Sequence, residues 1–423
     1  MNLSVIICIM TTLLGPALGK VMMCYFASWA TYRVGNGHFE VSDIEPDLCT
    51  HYIYAFVGIK GEGNIDILDP WNDISDGGGK NNFGKLVALK KTKTAPKVLV
   101  GMGGWNAGST NFTIVVNNAT LRATFVKNAV DFLIKYKFDG LEMDWEYPAQ
   151  RGGAKADKEG FVAFLKELKE AFVKEGLLLT AAVGATKDLA TPSYDIPAIA
   201  EILDYISVMT YDLTTASSSD VIGHHAPMFA ASYQANNATL LQNNIVASID
   251  FWLKSGAPAS KLVLGLPLYG RTFTLADTSK TTPGSPSAGP GLAGPYTGGA
   301  GSLGYNELCE KQLSGNWTTV WYEEQEVPYA YSGDQWIGFD NERSLAIKIK
   351  YAKKLGLAGI MFWSIETDDF KGICGSSSYP LLKASRTELY SRRNHSFFGT
   401  PIEEGRKLNG RHPTRRHLRV VPT

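Results

Sequence analysis

Residues 137–148, KFDGLEMDWEYP, place four acids within eight positions: Asp139, Glu142, Asp144 and Glu146. Successive side chains of an extended strand point to opposite faces, so the last three of these acids share one face, with neighbouring carboxyl groups about 6.5–7 Å apart. In a poorly hydrated interior, desolvation and like-charge repulsion raise the pKa of at least one of them. The pattern therefore predicts a carboxylic acid that stays protonated near neutral pH, as a general acid must.

The opposite face of this strand is apolar, because Leu141, Met143 and Trp145 alternate with the acids. An exposed edge strand with solvated acids is one alternative, but these apolar residues and the flanking Gly140 and Pro148 disfavour it. A Mg²⁺ or Ca²⁺ site is the other alternative, and no additional cluster of ligands stands out to support it. We therefore expect neither a metal nor a cofactor.

The strands that would hold these acids appear as short apolar and β-branched runs, most of them separated by segments with helical spacing. Apolar strands that alternate with helices indicate a parallel sheet covered on both sides. Eight of them predict an α/β fold, a (β/α)8 TIM barrel, whose active site lies at the C-terminal ends of the strands. No Gly-x-Gly-x-x-Gly follows the first strand, which disfavours a dinucleotide-binding fold. The predicted strands are 21–27, 51–57, 97–103, 138–144, 178–183, 205–210, 261–266 and 359–363.

One connection is much longer than an ordinary loop, since about 90 residues separate the seventh strand from the eighth. Its first part is rich in Gly, Pro and Ser, and its second part contains short alternating runs, so we expect a small α+β insertion at about 269–344. The whole catalytic domain would span 20–390. The basic segment 391–423 is poor in core-forming residues and predicts a disordered tail, with a polyanion-binding tail as the alternative.

The first 19 residues form an apolar run that ends in small residues, which predicts a secretory signal peptide cleaved after Gly19. We therefore expect a secreted, extracellular protein. No later segment reaches the roughly 20 apolar residues of a membrane-spanning helix. The formal net charge of +0 demands neither a nucleic acid nor an anionic membrane as partner, and we expect a monomer. Five sequons agree with secretion: Asn111, Asn118, Asn237, Asn316 and Asn394.

The cysteine content also fits an oxidising compartment. Cys8 leaves with the signal peptide, and Cys24, Cys49, Cys309 and Cys374 remain as an even set. Four cysteines allow three connectivities, and proximity along the chain favours Cys24–Cys49 together with Cys309–Cys374. No Cys or His spacing resembles a zinc site.

The acidic segment also carries a family resemblance, because DGLEMDWEYP resembles the Asp-x-x-Asp-x-Asp-x-Glu signature of glycoside hydrolase family 18, the chitinases and chitinase-like proteins. Other segments resemble the barrel strands of that family in order: CYFASWATYR, CTHYIYAF, GMGGW, MTYD, LPLYGR and MFWS. The similarity covers residues 21–389, and the cysteine positions and late insertion resemble the animal subgroup. It implies a chitinase that binds chitin or N-acetylchitooligosaccharides and cleaves their β-1,4 bonds.

In this family the nucleophile is the N-acetyl carbonyl oxygen of the substrate, which makes it an exception to the two-carboxylate scheme of glycosidases. The resemblance implies that Glu146 protonates the glycosidic oxygen and later activates water. It implies that Asp144 orients the acetamido group and stabilises the positively charged intermediate. Tyr211 and Asp212 would contact the same sugar. Two further acids would tune the row from beneath: Asp139 and Glu142.

Aromatic residues at predicted strand ends agree with a sugar-binding cleft. Trp363 ends the eighth strand, while Trp105 and Trp29 follow the third and the first. A single tryptophan is more often a core residue, but three at these positions favour binding, with Trp363 under the reacting sugar. His224 and His225, in contrast, are expected on the surface or in a loop. The resemblance assigns further substrate contacts to Tyr25, Phe56, Gly104, Tyr147, Met209, Tyr269, Arg271 and Met361.

The sequence departs from the family pattern at three places. Glu142 occupies the position of the usual Asp, and its additional methylene moves the carboxyl by about 1.5 Å in a close-packed interior. Ser217 stands near the place of a familiar Trp, and Gly298 and Gly299 replace a common Arg-Glu pair. These differences put the rate of catalysis in question rather than the fold.

Three functions are compatible with this sequence. The first is a secreted, retaining, endo-acting chitinase, which the presence of both Asp144 and Glu146 favours. The second is a catalytically weak or inactive chitinase-like lectin, which Glu142 and the missing cleft residues keep open. The third is a structural matrix or carbohydrate-scaffold protein that uses the basic tail.

Overall fold

The computed structural model describes residues 19–391. Nearly all of the predicted signal peptide and of the predicted tail lie outside the described residues, as do Cys8 and the sequon at Asn394. The described residues up to Tyr390 belong to one compact unit. None of the helices in this part of the chain is both long and apolar enough to cross a bilayer.

Residues 19–391 contain fifteen strands and eleven α-helices. The strands are β1 (Val21–Ala27), β2 (His51–Ile59), β3 (Ile65–Asp66), β4 (Lys97–Gly103), β5 (Gly140–Asp144), β6 (Leu178–Gly184), β7 (Tyr205–Met209), β8 (Leu262–Pro267), β9 (Tyr269–Leu275), β10 (Ser287–Pro290), β11 (Ser302–Gly304), β12 (Thr318–Tyr322), β13 (Val327–Ser332), β14 (Gln335–Gly338) and β15 (Gly359–Trp363). The helices are α1 (Pro70–Asp73), α2 (Asn82–Ala88), α3 (Thr110–Val116), α4 (Ala119–Tyr136), α5 (Asp157–Glu175), α6 (Lys187–Ser193), α7 (Ile196–Ile202), α8 (Ile245–Lys254), α9 (Tyr305–Leu313), α10 (Glu342–Leu355) and α11 (Pro380–Tyr390).

Eight strands close into a parallel barrel in the order β1, β2, β4, β5, β6, β7, β8 and β15, which pairs again with β1. This confirms the predicted (β/α)8 TIM barrel, and every predicted strand is present. Six boundaries differ by one or two residues: the end of β2, the start of β5, the ends of β6 and β7, and both ends of β8. The barrel strands are apolar along their whole length because helices cover one face and the barrel interior buries the other.

Side chains along β1 point alternately to its two faces and pack in two different hydrophobic clusters. Met22, Cys24 and Phe26 pack in the large cluster beneath the helices. Met23 and Tyr25 belong to a smaller cluster inside the barrel. The same period of two applies to β5, so the position of each acid relative to the barrel interior follows from its parity.

The helices that cover the barrel bury the faces that the sequence predicts. Helix α5 buries Phe161, Phe164, Leu165, Leu168 and Phe172, and each such side chain contributes about 1.5–3 kcal/mol when it leaves water. The helix ends where Gly176 adopts a φ of 67°, a left-handed conformation that glycine takes without steric cost.

The long connection between β8 and β15 forms a second sheet, in the order β10, β9, β14, β13 and β12, with β11 paired to β9. Helix α9 lies within the same segment, so the predicted α+β insertion is present. The Cys309–Cys374 disulfide joins α9 to the segment after β15. The Cys24–Cys49 disulfide joins β1 to the segment before β2, and both predicted pairings are confirmed.

Candidate active site

Strand β5 carries the acidic row as its alternation predicts. Leu141 and Met143 pack in the outer core, so Glu142 and Asp144 point into the barrel, where they are 0% and 4% exposed. Glu146 follows two residues after the end of the strand and is only partly buried. The row therefore runs from the closed interior toward the C-terminal mouth of the barrel.

Glu142 is held by hydroxyl groups from two other strands of the barrel. Its Oε1 accepts a hydrogen bond from the Tyr25 hydroxyl at 3.1 Å, and its Oε2 accepts one from the Thr180 hydroxyl. Burial raises the pKa of Glu142 to about 7, against the opposing effect of donors on Thr180, Ser207 and Tyr25. The additional methylene thus leaves this carboxyl in contact with both β1 and β6.

Asp144 is the least satisfied acid of the row. Its Oδ1 is buried without a hydrogen-bond partner among the described residues. Burial, followed by the charges of Glu146 and Glu142, raises the pKa of Asp144 well above its usual range. Because these acids repel one another, a proton held by one lowers the cost of ionising its neighbour.

Glu146 has the proton affinity of a general acid. Burial raises its pKa to about 7; a hydrogen bond from Tyr147 and the charge of Arg151 oppose this shift, and the charge of Asp212 adds to it. A carboxylic acid with a pKa near the working pH can donate a proton and then accept one back. The geometry of the row therefore supports acid–base chemistry at Glu146.

A second carboxylate, Asp212, lies just after β7 in a ring of donors. Tyr269 donates its hydroxyl to Oδ1 at 2.6 Å, and the Arg271 guanidinium binds both carboxylate oxygens. Burial would raise the pKa of Asp212, but the hydrogen bonds and the positive charge of Arg271 hold it well below its usual value. The donors outweigh burial, since 36% of the side chain remains exposed to solvent.

Both histidines lie in a loop after β7, as expected, but neither is on the surface, with 2% exposure at His224 and 1% at His225. The His224 Nδ1 lies 2.9 Å from Gln325 Oε1, and its ring stacks on Tyr322 of the insertion. The His225 Nδ1 lies 3.3 Å from Oδ1 of Asp212. The burial was not foreseen because residues about 100 positions later cover this loop, and local sequence carries no signal of that.

Aromatic rings line the mouth of the barrel beside β1, β2 and β15. The rings of Phe56 and Trp363 stack at 5.7 Å with an interplanar angle of 15°, and Trp29 lies 6.1 Å from Trp363. Tyr25 contacts the edge of Trp363 at 5.2 Å. Since Trp29 is 42% exposed, the cluster presents apolar ring surface to solvent. Such a surface suits the apolar face of a sugar ring.

Trp105 is held by a residue that the sequence analysis did not identify. The guanidinium carbon of Arg151 lies 3.5 Å from the centroid of the Trp105 ring. Nη1 of the same arginine donates to the carbonyl oxygens of Trp105 at 2.7 Å and Glu146 at 2.9 Å. An arginine in a Gly-rich turn is typical of a solvated loop, so the sequence held no signal for this contact.

The remaining predicted contacts lie around the same mouth. Gly104 has a φ of 77°, and a Cβ there would lie 2.6 Å from the Phe56 ring, so only glycine fits. The Tyr211 hydroxyl donates to Sδ of Met361 at 3.8 Å, and Met209 packs in the same inner cluster. Around Gly298 and Gly299 of the insertion, an added Cβ would meet no atom within 4 Å, which leaves open space there.

Asp139 lies apart from the row, one residue before β5 at the N-terminal end of the barrel. Its carboxylate is 3.0 Å from Lys90 and 3.6 Å from Lys97, and it accepts a hydrogen bond from the Val98 amide at 2.8 Å. These contacts give Asp139 a structural task that the sequence analysis did not foresee. Its influence on the acids above stays a prediction.

Possible metal ligands come together at one place in the described part of the chain, where atoms of Cys309, Asp369 and Cys374 lie within 4.8 Å of one another. Both sulfurs are bonded to each other, so neither is a thiolate that could bind an ion. This group therefore cannot act as a metal site while the disulfide is intact.

Comparison with known proteins agrees with the fold. The profile of glycosyl hydrolases family 18 matches residues 21–368, so the chain belongs to this family. Probable chitinase 2 of Drosophila melanogaster is 42% identical over 372 residues, which cover 85% of this chain and 74% of that protein. The chain thus groups with the chitinases of the family.

Solved structures give the same result. The group IV chitinase of Ostrinia furnacalis in complex with allosamidin is 45% identical, with a TM-score of 0.83, and covers 87% of this chain and 98% of its own. Human YKL-39, described as a pseudo-chitinase with retained chitooligosaccharide binding, is 33% identical, with a TM-score of 0.81 and coverage of 88% and 100%. Structural similarity therefore extends to catalysts and to a non-catalytic binder alike.

Proposed function

We propose that this protein is a secreted, endo-acting chitinase that hydrolyses β-1,4 bonds between N-acetylglucosamine residues with retention of configuration. The observation that carries this proposal is the pairing of buried Asp144 with partly buried Glu146 at the mouth of a family 18 barrel, where the pKa of Glu146 is raised to about 7. A protonated Glu146 can act there as general acid.

The proposed mechanism uses the substrate as its own nucleophile. Glu146 donates its proton to the glycosidic oxygen, and the C1–O bond breaks while the N-acetyl carbonyl oxygen of the same sugar bonds to C1. The leaving sugar departs with the proton. Glu146, now a carboxylate, removes a proton from water, which attacks C1 and releases the acetamido oxygen. Two inversions at C1 give overall retention.

Other residues of the cleft would bind and orient the substrate. Asp144 would hydrogen-bond the acetamido N–H and offset the positive charge that develops on this group. Tyr211 would donate its hydroxyl to the acetamido oxygen, and Asp212 would accept from a hydroxyl of the same sugar. The exposed rings of Trp29 and Trp105, beside Trp363 and Glu146, support binding of several consecutive sugars, which endo action requires.

The second candidate is a chitinase-like lectin with weak or absent turnover. The buried Glu142 favours it, because the contacts of this residue with Tyr25 and Thr180 fix one acid of the row independently of Asp144. The similarity to YKL-39 shows that this fold can bind without catalysis in at least one protein. The presence of both Asp144 and Glu146 favours the enzyme.

The test compares the wild type with Glu146→Gln on a soluble N-acetylchitohexaose, with binding measured in parallel by tryptophan fluorescence. We expect turnover to fall about 10²–10⁴-fold in the variant while binding is retained. Products of internal cleavage would support endo action. Glu62→Gln, an exposed acid at the tip of a turn, is the control and should behave as the wild type does.

If the wild type binds the chitohexaose but hydrolyses it no faster than Glu146→Gln does, the protein is a chitinase-like lectin. Glu142→Asp then identifies the cause, because turnover returns only if the additional methylene had blocked it. Secretion is tested separately, by expressing the full chain in eukaryotic cells and determining the N-terminus of the protein in the medium, which should follow Gly19.

A further inference from the structure

His225 is a buried histidine that the proposed mechanism does not use, and it contacts the cleft at Asp212. Its side chain is 1% exposed. One ring nitrogen, Nδ1, lies 3.3 Å from Oδ1 of Asp212 and accepts from the Asp212 amide at 3.4 Å. The other, Nε2, lies 3.2 Å from the carbonyl oxygen of Tyr269. The ring thus connects the segment after β7 to the first residue of β9.

These contacts define which nitrogen carries the proton. A carbonyl oxygen only accepts hydrogen bonds, so Nε2 must donate to Tyr269. In the neutral ring Nδ1 is then the acceptor, which matches the amide of Asp212. Burial lowers the pKa of His225, while the adjacent Asp212 opposes that shift, so the neutral ring is the form that burial favours.

The conformation of Asp212 shows why such a contact is needed. Asp212 has a φ of 58°, in the left-handed region that costs an L-residue other than glycine about 1–2 kcal/mol. A backbone held in this region persists only where its surroundings fix it. Nδ1 of His225 accepts from the backbone amide of Asp212, while Tyr269 and Arg271 bind its carboxylate.

We propose that His225 is a positioning residue: its Nδ1 accepts from the amide of Asp212 and fixes the Asp212 backbone, so that the carboxylate keeps the orientation that binds the reacting sugar. This inference rests on the proposed function of Asp212. It goes further in assigning the effect to one atom: Nδ1 is required for turnover, whereas Nε2 is a structural contact with Tyr269.

The two roles can be separated because two amides mimic the two nitrogens. Asparagine at position 225 places a polar atom where Nδ1 is, and glutamine reaches the place of Nε2. We expect His225→Asn to keep kcat within about threefold of the wild type, and His225→Gln to lower kcat about 10–100-fold, the scale of a misplaced binding group. The KM for the chitohexaose should change less than kcat.

His224→Gln is the matched control, because the neighbouring histidine is equally buried but contacts Gln325 instead of Asp212. It should lower the melting temperature without the selective loss of kcat. Equal losses of kcat in His225→Asn and His225→Gln, or losses that follow the melting temperature in all three variants, would overturn the proposal.

A failure of the proposed function would be recognised separately, by a wild type that turns over no faster than Glu146→Gln. In that case the same variants are compared by their affinity for the chitohexaose. Weaker binding by His225→Gln than by His225→Asn still supports the positioning role, and equal affinities contradict it.

Discussion

Two groups of carboxylates in the same cleft show opposite proton affinities. Glu142, Asp144 and Glu146 are dominated by burial and by one another, and all three have raised pKa values. Asp212 is surrounded by Tyr269, Arg271 and His225, and its pKa is lowered. The chemical group is the same in both places. Donors and cations next to it, rather than burial alone, therefore decide whether it holds a proton.

Because of this difference in pKa, the two groups have different roles in the proposed reaction. The row keeps a proton available at Glu146, which a leaving oxygen requires. Asp212 keeps its negative charge, which allows it to accept a hydrogen bond from the sugar and raises the pKa of Glu146. Exchanging the surroundings of the two groups should therefore impair catalysis even if every carboxylate is retained.

Among changes to the surroundings of the two groups, the largest effect is expected from removing the cation beside Asp212. Arg271→Gln deletes the guanidinium that binds both oxygens of Asp212, so the pKa of Asp212 rises and its orientation loosens. We expect kcat to fall about 10–100-fold. Because protonated Asp212 is inactive in this scheme, an additional loss of kcat should appear on the acidic side of the pH profile.

Arg343→Gln is the control for Arg271→Gln, since Arg343 stacks on Trp321 in the insertion and pairs with Glu323. It should leave kcat and its pH profile unchanged. A profile of Arg271→Gln with the same acidic limb as the wild type would show that Arg271 does not keep Asp212 ionised.

The acidic row could be predicted from sequence because its cause is local. The period of two along β5 decides that Glu142 and Asp144 face inward, and every residue that enters this argument lies within ten positions. The barrel followed in the same way from apolar strands that alternate with helices. The predicted strand ends differ from the observed ones by one or two residues, as at Gly140 and Met209. The hydrogen bonds that define the end of a strand come from neighbouring strands, which the local sequence does not show.

The surroundings of Asp212 could not be predicted in the same manner. Arg271 was assigned through the family resemblance, not through its spacing. His225 was expected on the surface or in a loop, and its burial depends on contacts with distant residues such as Tyr269. Arg151 was missed for the same reason, since its stacking on Trp105 joins two turns that are separated by 46 residues. Contacts between distant segments set the proton affinities, and no local pattern records them.

A smaller effect is expected on the pH dependence of stability, and a substitution of Glu142 can measure it. The folded pKa of Glu142 is about 7, above the ordinary 4.5, so between these pH values the folded protein binds more protons than the unfolded chain. The free energy of unfolding therefore falls as pH rises through this window, by up to about 1.4 kcal/mol per pH unit. Glu142→Gln cannot titrate, so it should show a shallower pH dependence and greater stability at pH 8.

Denaturant unfolding of the wild type and Glu142→Gln at pH 5 and pH 8 measures this difference, with Glu62→Gln as the exposed control. The wild type should lose more stability between the two pH values than the variant does. Equal losses would mean that Glu142 is ionised as easily in the folded protein as in the unfolded chain.

The smallest effect is expected at the boundary between the two regions, where Arg151 contacts the Trp105 ring and the Glu146 backbone. Its charge lowers the pKa of Glu146, so Arg151→Gln should raise that pKa and move the basic limb of the kcat profile upward by a few tenths of a pH unit. The shift should shrink at high ionic strength, because Arg151 is exposed and salt screens exposed charges.

Arg151→Lys retains the charge without the planar stacking on Trp105, so it should keep the basic limb of the wild type while raising the KM. A basic limb displaced equally in both variants would show that the arginine acts on Glu146 through the position of Trp105 rather than through its charge.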